Sequence, residues 1–308
     1  MSTSAVAAGS VRRSLRASGR DWSGIVLEVI LLLSLLFALV TLFILVADVL
    51  TRGLPVFAER GLDFLTSPLS SRPQKAGVFQ GIVGTAIVAM LVALLAFPVG
   101  VLTAVYLEEY APDNRLTRLV AINIRNLAGV PSVVYGLLGL AVFVAAFAAL
   151  GLGDGRNILA GALTLAVLVL PLVIITASEA IRAVPSTIRE AGFGIGASRW
   201  QVVRKLILPS AAPGILTGMV LALSRALGET APLILAGAVL GSFSSGGSLG
   251  DLLTGPYTVL PIVVYDWARK PQAEFRELTA AAIVVLLLVT LFANAVAILV
   301  RNRYVREW

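Results

Sequence analysis

Two oppositely charged residues, Arg225 and Glu229, interrupt a long apolar stretch of the sequence. They are four residues apart, which places both side chains on one face of a helix, where they can pair. If the stretch crosses a membrane, a central arginine costs roughly 2.5–3.5 kcal/mol and normally faces a bundle interior or an aqueous cavity. One interpretation is an internal salt bridge that keeps helices in register. The other is an anion pathway, in which the guanidinium binds a tetrahedral oxyanion and Glu229 positions that group and limits its affinity.

A second group of polar residues, between 185 and 209, predicts two consecutive helix starts. In a capping box, a hydroxyl and a carboxylate or amide three residues later satisfy free backbone N–H groups. A glycine is typical of a helix end, and a proline stops a helix that precedes it. We therefore expect a helix, a glycine turn and a second helix from these features: Thr187-x-x-Glu190, Gly196, Ser198-x-x-Gln201 and Pro209.

The elements that must position these residues are membrane-spanning helices. The chain has 308 residues, of which 58% are hydrophobic and 13% charged, and its mean hydropathy is +0.95. Apolar stretches long enough to cross a hydrocarbon layer of roughly 30 Å occur six times, so we predict an all-α polytopic membrane protein. The first stretch follows a polar leader at 1–24 and is interpreted as a retained anchor. The predicted spans are about 25–50, 80–106, 128–152, 158–180, 213–240 and 279–300.

The distribution of basic residues predicts the orientation of these spans. With the N-terminus inside, the inner segments hold 15 Lys and Arg residues and the outer segments hold 8. Because basic residues favour the cytoplasmic side, both termini are predicted to be cytoplasmic. The net charge of +7 then lies on the inner face, so it requires no nucleic-acid partner.

The sequence excludes several kinds of chemistry. It contains no cysteine and no histidine, so thiol or imidazole catalysis and the usual zinc sites are excluded. It also lacks a G-x-x-x-x-G-K-[ST] phosphate loop, so it cannot hydrolyse ATP by that route. We expect no catalytic residue, metal site or cofactor in this chain.

The loop at 185–209 resembles the EAA loop of ABC importer permeases. The matching residues are Glu190-Ala191-Gly192, Gly196 and Ile207-Leu208-Pro209, although glycine replaces the second alanine and the final residues are more closely spaced. The resemblance implies a helix that docks on a cytoplasmic ATPase subunit. The alternative is a capped surface hairpin without a partner. The coupling residues implied by the resemblance are Glu190, Ala191, Gly192, Gly196, Ala197 and Ser198.

The residues around Arg225 resemble a segment of the PstA family of phosphate importer permeases. Ser224–Leu233 matches its RAxGETAPL pattern, and residues 129–136, 179–185 and 301–304 match further segments. The resemblance implies a six-helix, type I (MetI-like) permease fold and a phosphate pathway. Ordinary helix capping is an alternative role for Ser132, and Glu179 has the alternative of an ordinary residue at the cytoplasmic end of its helix. The implied pathway residues are Arg225, Glu229, Thr230, Ser132 and Glu179.

The same resemblance implies an assembly in a bacterial cytoplasmic membrane. Its other members would be a PstC-like permease that completes the pore, a PstB-like ATPase dimer that binds ATP and magnesium, and a PstS-like phosphate-binding protein. The outer loop at 241–278 would receive the binding protein, or its Trp267 would belong to an interfacial aromatic belt. The competing hypotheses are transport of sulfate, molybdate or phosphonate, an ATP-independent anion channel or carrier, and a regulatory scaffold.

Overall fold

The computed structural model describes residues 22–238 and 253–304, and the long regular elements in these ranges are helices. In chain order the helices are α1 Trp22–Arg60, α2 Asp63–Thr66, α3 Phe79–Tyr110, α4 Arg115–Ala128, α5 Ser132–Ala149, α6 Ile158–Arg182, α7 Ser186–Gly194, α8 Arg199–Gly228, α9 Ala231–Leu235, α10 Leu260–Ala268 and α11 Glu274–Tyr304. Within these ranges, six of the helices are long and apolar enough to cross a membrane: α1, α3, α5, α6, α8 and α11.

The fifth spanning helix differs from its predicted range of 213–240. Helix α8 begins at Arg199, runs through Pro209 and ends at Gly228. Pro209 does not stop it, because the preceding π turn, Val203–Ile207, has a wider hydrogen-bonding pattern that accommodates a residue without an N–H. The second helix of the predicted hairpin is therefore the start of a spanning helix.

Helix α4 lies between the predicted spans 80–106 and 128–152, where the predicted orientation implies a cytoplasmic connection. Asn114 caps it by accepting a hydrogen bond from the Thr117 N–H at 2.9 Å. No residue of α4 is buried. Gly129 and Pro131 separate it from α5, so the third span begins at Ser132 rather than at residue 128.

The chain divides at Thr51 into two compact units, and the second unit contains the residues discussed below. Its buried side chains form three clusters. The first includes Val92, Val169 and Ala222 in the middle of α3, α6 and α8. The other two lie around Trp267 and around Ile181.

Trp267 does not belong to an aromatic belt. Its side chain is fully buried, and its ring centroid lies 6.4 Å from that of Phe64 and 5.7 Å from that of Phe275. An interfacial tryptophan would expose its ring, so the belt interpretation is wrong for this residue. Part of the predicted outer loop, residues 241–252, lies outside the described ranges.

Candidate functional site

Arg225 and Glu229 form an ion pair where α8 ends. Arg225 lies in the last turn of the helix, and Glu229 caps its C-terminus with an extended backbone (φ −80°, ψ 122°). The Arg225 Nε lies 3.3 Å from Glu229 Oε1, and the two side chains are 43% and 19% exposed. The predicted pair is thus present, but it joins a helix to the chain just beyond it.

The terminal nitrogens of Arg225 are available for another acceptor. The ion pair uses Nε, and neither Nη group makes a hydrogen bond within residues 22–238 or 253–304. The carbonyl end of a helix also favours a cation, by about 0.3–1 kcal/mol. The Nε edge of the guanidinium is therefore bound to Glu229, and its two Nη groups can bind another acceptor.

Contacts with α6 show the depth of Arg225 along the bundle. Gly218 packs against Thr176, and Gly214 packs against Ala180, so a Cβ at either glycine would overlap its neighbour. Because α6 and α8 are antiparallel, each residue further along α8 lies level with one residue further back along α6. Extending the register of these two contacts places Arg225 level with Val169, near the middle of Ile158–Arg182. A helix that ends at such a depth requires a cavity or protein groups around the broken backbone.

Helix α9 brings Thr230 and Ser132 to the same region. Thr230 precedes α9, and Ser132 is the first residue of α5. The two helices touch closely, because a Cβ at Gly136 of α5 would lie 2.7 Å from the Pro232 Cα of α9. Neither hydroxyl caps its helix, since both N-terminal ends lack a side-chain cap hydrogen bond. Four of the five predicted pathway residues therefore lie on α5, α8, α9 and their junctions.

Glu179 lies away from this region. It lines a cleft near the C-terminal end of α6, together with Glu108, Arg118 and Arg182. It is exposed and ten residues beyond the level of Val169, which corresponds to roughly 15 Å along a helix. The structure does not place Glu179 with the Arg225 pair.

Two further polar residues lie near the pair, and the sequence analysis did not select them. Tyr135 is within electrostatic range of Arg225, and its hydroxyl donates to the Leu127 carbonyl at 2.9 Å. The Ser224 hydroxyl lies 2.8 Å from both Asn294 Oδ1 of α11 and the Val220 carbonyl of its own helix, and its single proton is shared between these two acceptors. Asn294 is the only Asn or Gln in the predicted span 279–300, so the sequence alone could have indicated a polar contact of this helix.

The hairpin at 185–209 has the predicted glycine turn. Gly196 has a positive φ of 79°, and its N–H donates to the Phe193 carbonyl at 2.9 Å. The Ala197 N–H donates to the Gly192 carbonyl at 3.2 Å, so α7 ends in a Schellman motif. At Ser198 both hydrogen bonds of the predicted capping box with Gln201 are present.

The first predicted capping box is absent. Helix α7 begins after Pro185, and no side chain caps it, so Thr187 lies inside the first turn. Proline fixes the backbone before this helix, which moves the helix start two residues ahead of the expected cap.

The hairpin exposes several residues at its tip. Glu190 and Ala191 are exposed, whereas Gly192 is buried against α8. A Cβ at Gly192 would lie 2.9 Å from a Val202 methyl group, which explains the glycine in place of the second alanine. Large apolar side chains are exposed beside them: Phe193 by 50%, Ile195 by 85% and Trp200 by 57%.

Comparison with known proteins gives a consistent result. Residues 96–306 match the family described as binding-protein-dependent transport system inner membrane component. The chain is 34% identical over 224 residues to phosphate transport system permease protein PstA 1 of Mycobacterium tuberculosis, covering 72% of this chain and 69% of that protein. It is 33% identical over 277 residues to phosphate transport system permease protein PstA of Mycobacterium leprae, covering 88% and 87%.

Solved structures share the fold at low sequence identity. A permease chain of a bacterial alginate ABC transporter, in complex with an alginate-bound periplasmic protein, superposes with a TM-score of 0.59 at 19% identity. That match covers 90% of this chain and 96% of the other. The inward-facing MetNI methionine ABC transporter superposes with a TM-score of 0.54 at 19% identity, covering 75% and 95%.

Proposed function

The chain belongs to the family of binding-protein-dependent transport system inner membrane components, and from this premise we propose that it is a permease subunit of an ATP-driven importer of inorganic phosphate. The observation that carries the proposal is Arg225, a half-exposed arginine with open terminal nitrogens at a helix break in mid-span. Two relatives that cover most of the chain are named phosphate transport permeases.

Arg225 and Glu229 would act together on the passing anion. The two Nη groups present a planar fork that suits a tetrahedral oxyanion. The negative charge of Glu229, 3.3 Å from Arg225 Nε, offsets part of the positive charge of the guanidinium. The site would therefore bind phosphate without retaining it, as transport requires. Thr230 and Ser132 would offer hydroxyl groups along the same path.

The hairpin from α7 to the start of α8 would receive the motion of an ATPase. Its exposed apolar tip supports contact with a protein partner, because Phe193, Ile195 and Trp200 form no part of the core. The proposed coupling residues are Glu190, Ala191, Gly192, Gly196, Ala197 and Ser198. Motion of α7 reaches Arg225 along α8, which begins three residues after Gly196.

The proposed assembly contains a second permease, an ATPase dimer that holds ATP and magnesium, and an external phosphate-binding protein. This chain would form part of the path and break no covalent bond. It would lie in the cytoplasmic membrane with both termini inside. The predicted docking of the binding protein on the outer loop at 241–278 also belongs to this proposal.

The proposal is tested by phosphate uptake into liposomes that contain the complete complex. We expect Arg225→Ala and Glu229→Ala to assemble normally and to lose uptake by about ten- to hundredfold, the range for a charge-assisted hydrogen bond. Arg118→Ala is a matched control, because its side chain is 72% exposed and pairs only with an exposed aspartate among the described residues. Normal uptake by both site variants would contradict the assigned roles.

Two additions to the assay test the competing functions. The first addition is unlabelled sulfate, molybdate or phosphonate. If one of them suppresses the uptake of labelled phosphate as strongly as unlabelled phosphate does, the substrate is assigned to oxyanions in general. Uptake that persists without ATP or without the ATPase subunits would instead indicate a channel or carrier.

A further inference from the structure

The end of α3 contacts both helices of the hairpin at 185–209 and the end of α6 that precedes it. Its last five residues, Tyr106–Tyr110, form a π turn. Three consecutive side chains of this turn contact three arginines that come from α6, α7 and α8 in order. The pairs are Glu108 with Arg182, Glu109 with Arg189, and Tyr110 with Arg199.

These three contacts surround the turn. Successive side chains of a helix point in different directions around its axis. One helix end can therefore engage three elements only if those elements lie around it. The hairpin is thus attached to α3, which is far from it in the sequence, as well as to α6 and α8, with which it is continuous.

The middle contact is the best protected of the three. Arg189 Nη2 and Nε lie 2.9 and 3.1 Å from Glu109 Oε1, and the side chains are 23% and 10% exposed. Arg189 also donates to the Ile181 carbonyl at 2.9 Å and to the Val184 carbonyl at 2.6 Å. These carbonyls lie at and just beyond the C-terminal end of α6, where backbone acceptors lack helical partners. The guanidinium is therefore fixed on two sides.

The neighbouring pair is more accessible. Arg182 binds both oxygens of Glu108, at 2.6 and 3.2 Å, and the two side chains are 57% and 19% exposed, so solvent reaches the arginine side of this pair. Exposed ion pairs contribute little, whereas removing one partner of a buried pair leaves a charge without compensation. Glu109 and Arg189 therefore dominate the attachment.

We infer that Glu109 and Arg189 are positioning residues that fasten the coupling helix α7 to α3, so that motion of α7 is transmitted to α3 as well as to α8. This inference rests on the proposed function, because it requires an ATPase that moves α7. Helix α3 can pass the motion on, since it packs tightly along α6: a Cβ at Gly100 would lie 2.6 Å from a Val173 methyl group. Helices α3 and α8 would then both move when the ATPase displaces α7.

The test compares ATP hydrolysis with phosphate uptake in the same liposomes, using the complete complex. We expect Glu109→Gln to hydrolyse ATP but to take up about tenfold less phosphate per ATP, a typical size for coupling between sites. Glu108→Gln is the matched control, because it removes the same charge from the adjacent pair, which joins α3 to α6 and not to α7 and has an arginine that is 57% exposed. Its ratio of uptake to hydrolysis should equal that of the parent.

A conservative variant separates positioning from simple structural damage. Glu109→Asp should keep most of the coupling that Glu109→Gln loses, because it keeps a carboxylate opposite Arg189 and leaves the bonds from Arg189 to the Ile181 and Val184 carbonyls in place. An unchanged ratio in Glu109→Gln would overturn the inference. So would a loss of coupling in Glu109→Asp as large as that in Glu109→Gln. A parent complex without ATP-dependent uptake would instead refute the proposed function.

Discussion

At the scale of single residues, Arg225 is stabilised by groups of its own chain. A central arginine costs roughly 2.5–3.5 kcal/mol in a membrane helix. Glu229 and the carbonyl end of α8 offset part of this cost. The sequence predicted the ion pair from a spacing of four residues but not the helix break between its members. An extended Glu229 still reaches Arg225, so the spacing could not distinguish the two backbones.

Ser224 and Asn294 give a prediction at this scale. Ser224→Ala removes the 2.8 Å bond between α8 and α11 and should lower stability by about 0.6–1.7 kcal/mol, as measured for hydrogen bonds between membrane helices. The measurement is reversible unfolding in mixed detergent micelles, with Asn294→Ala completing a double-mutant cycle.

Thr290→Ala is the control for Ser224→Ala. The Thr290 hydroxyl donates to the Leu286 carbonyl of its own helix and joins no second element. The two variants should therefore differ, and equal losses of stability would count against the interhelical bond.

At the scale of elements, the hairpin shows which local signals were sufficient. The glycine turn and the Ser198 capping box depend on neighbouring residues, and both were predicted from sequence. The Thr187 box and the stop at Pro209 were wrong, because Pro185 fixes an earlier start and a π turn precedes Pro209. Proline effects depend on the backbone on either side, which residue types alone do not specify.

The two candidate caps can be distinguished experimentally. Ser198→Ala should destabilise the first turn of α8 by about 1 kcal/mol, because it removes the side-chain acceptor for the Gln201 N–H. Thr187→Ala should have little effect at the start of α7. Hydrogen exchange of the first amides of each helix, in detergent, measures both. A larger effect of the Thr187 variant would support the cap expected from sequence instead.

At the scale of the whole molecule, composition predicted the fold class and the number of spans. Six long apolar helices within 22–238 and 253–304 confirm this part. The contacts of α3 with the hairpin were not predicted, because Glu109 and Arg189 are 80 residues apart. One sequence carries no signal that pairs two charges at such a distance. The burial of Trp267 likewise depends on Phe64 and Phe275, which come from other parts of the chain.

The orientation predicted from basic residues can be tested directly, because the chain has no cysteine to give background labelling. Arg118→Cys, at a position with 72% side-chain exposure and outside the proposed ATPase contact, should react with a membrane-impermeant maleimide only from the cytoplasmic side. Gln74→Cys, which is also exposed, should react only from the outside. Intact cells and inside-out vesicles provide the two conditions.

A third variant controls for access to buried sites. Ala177 is 1% exposed, so Ala177→Cys should react from neither side. Labelling of Arg118→Cys in intact cells would reverse the assigned topology.

The helix break after Gly228 also affects the protein between transport cycles. An unpaired positive charge in the middle of the membrane would form a binding site for small anions such as chloride. Here the carboxylate and the helix end already balance much of that charge. We expect the region around Arg225 to be close to electrically neutral when no anion is bound. An importer that is not transporting should then not conduct small anions and dissipate the membrane potential.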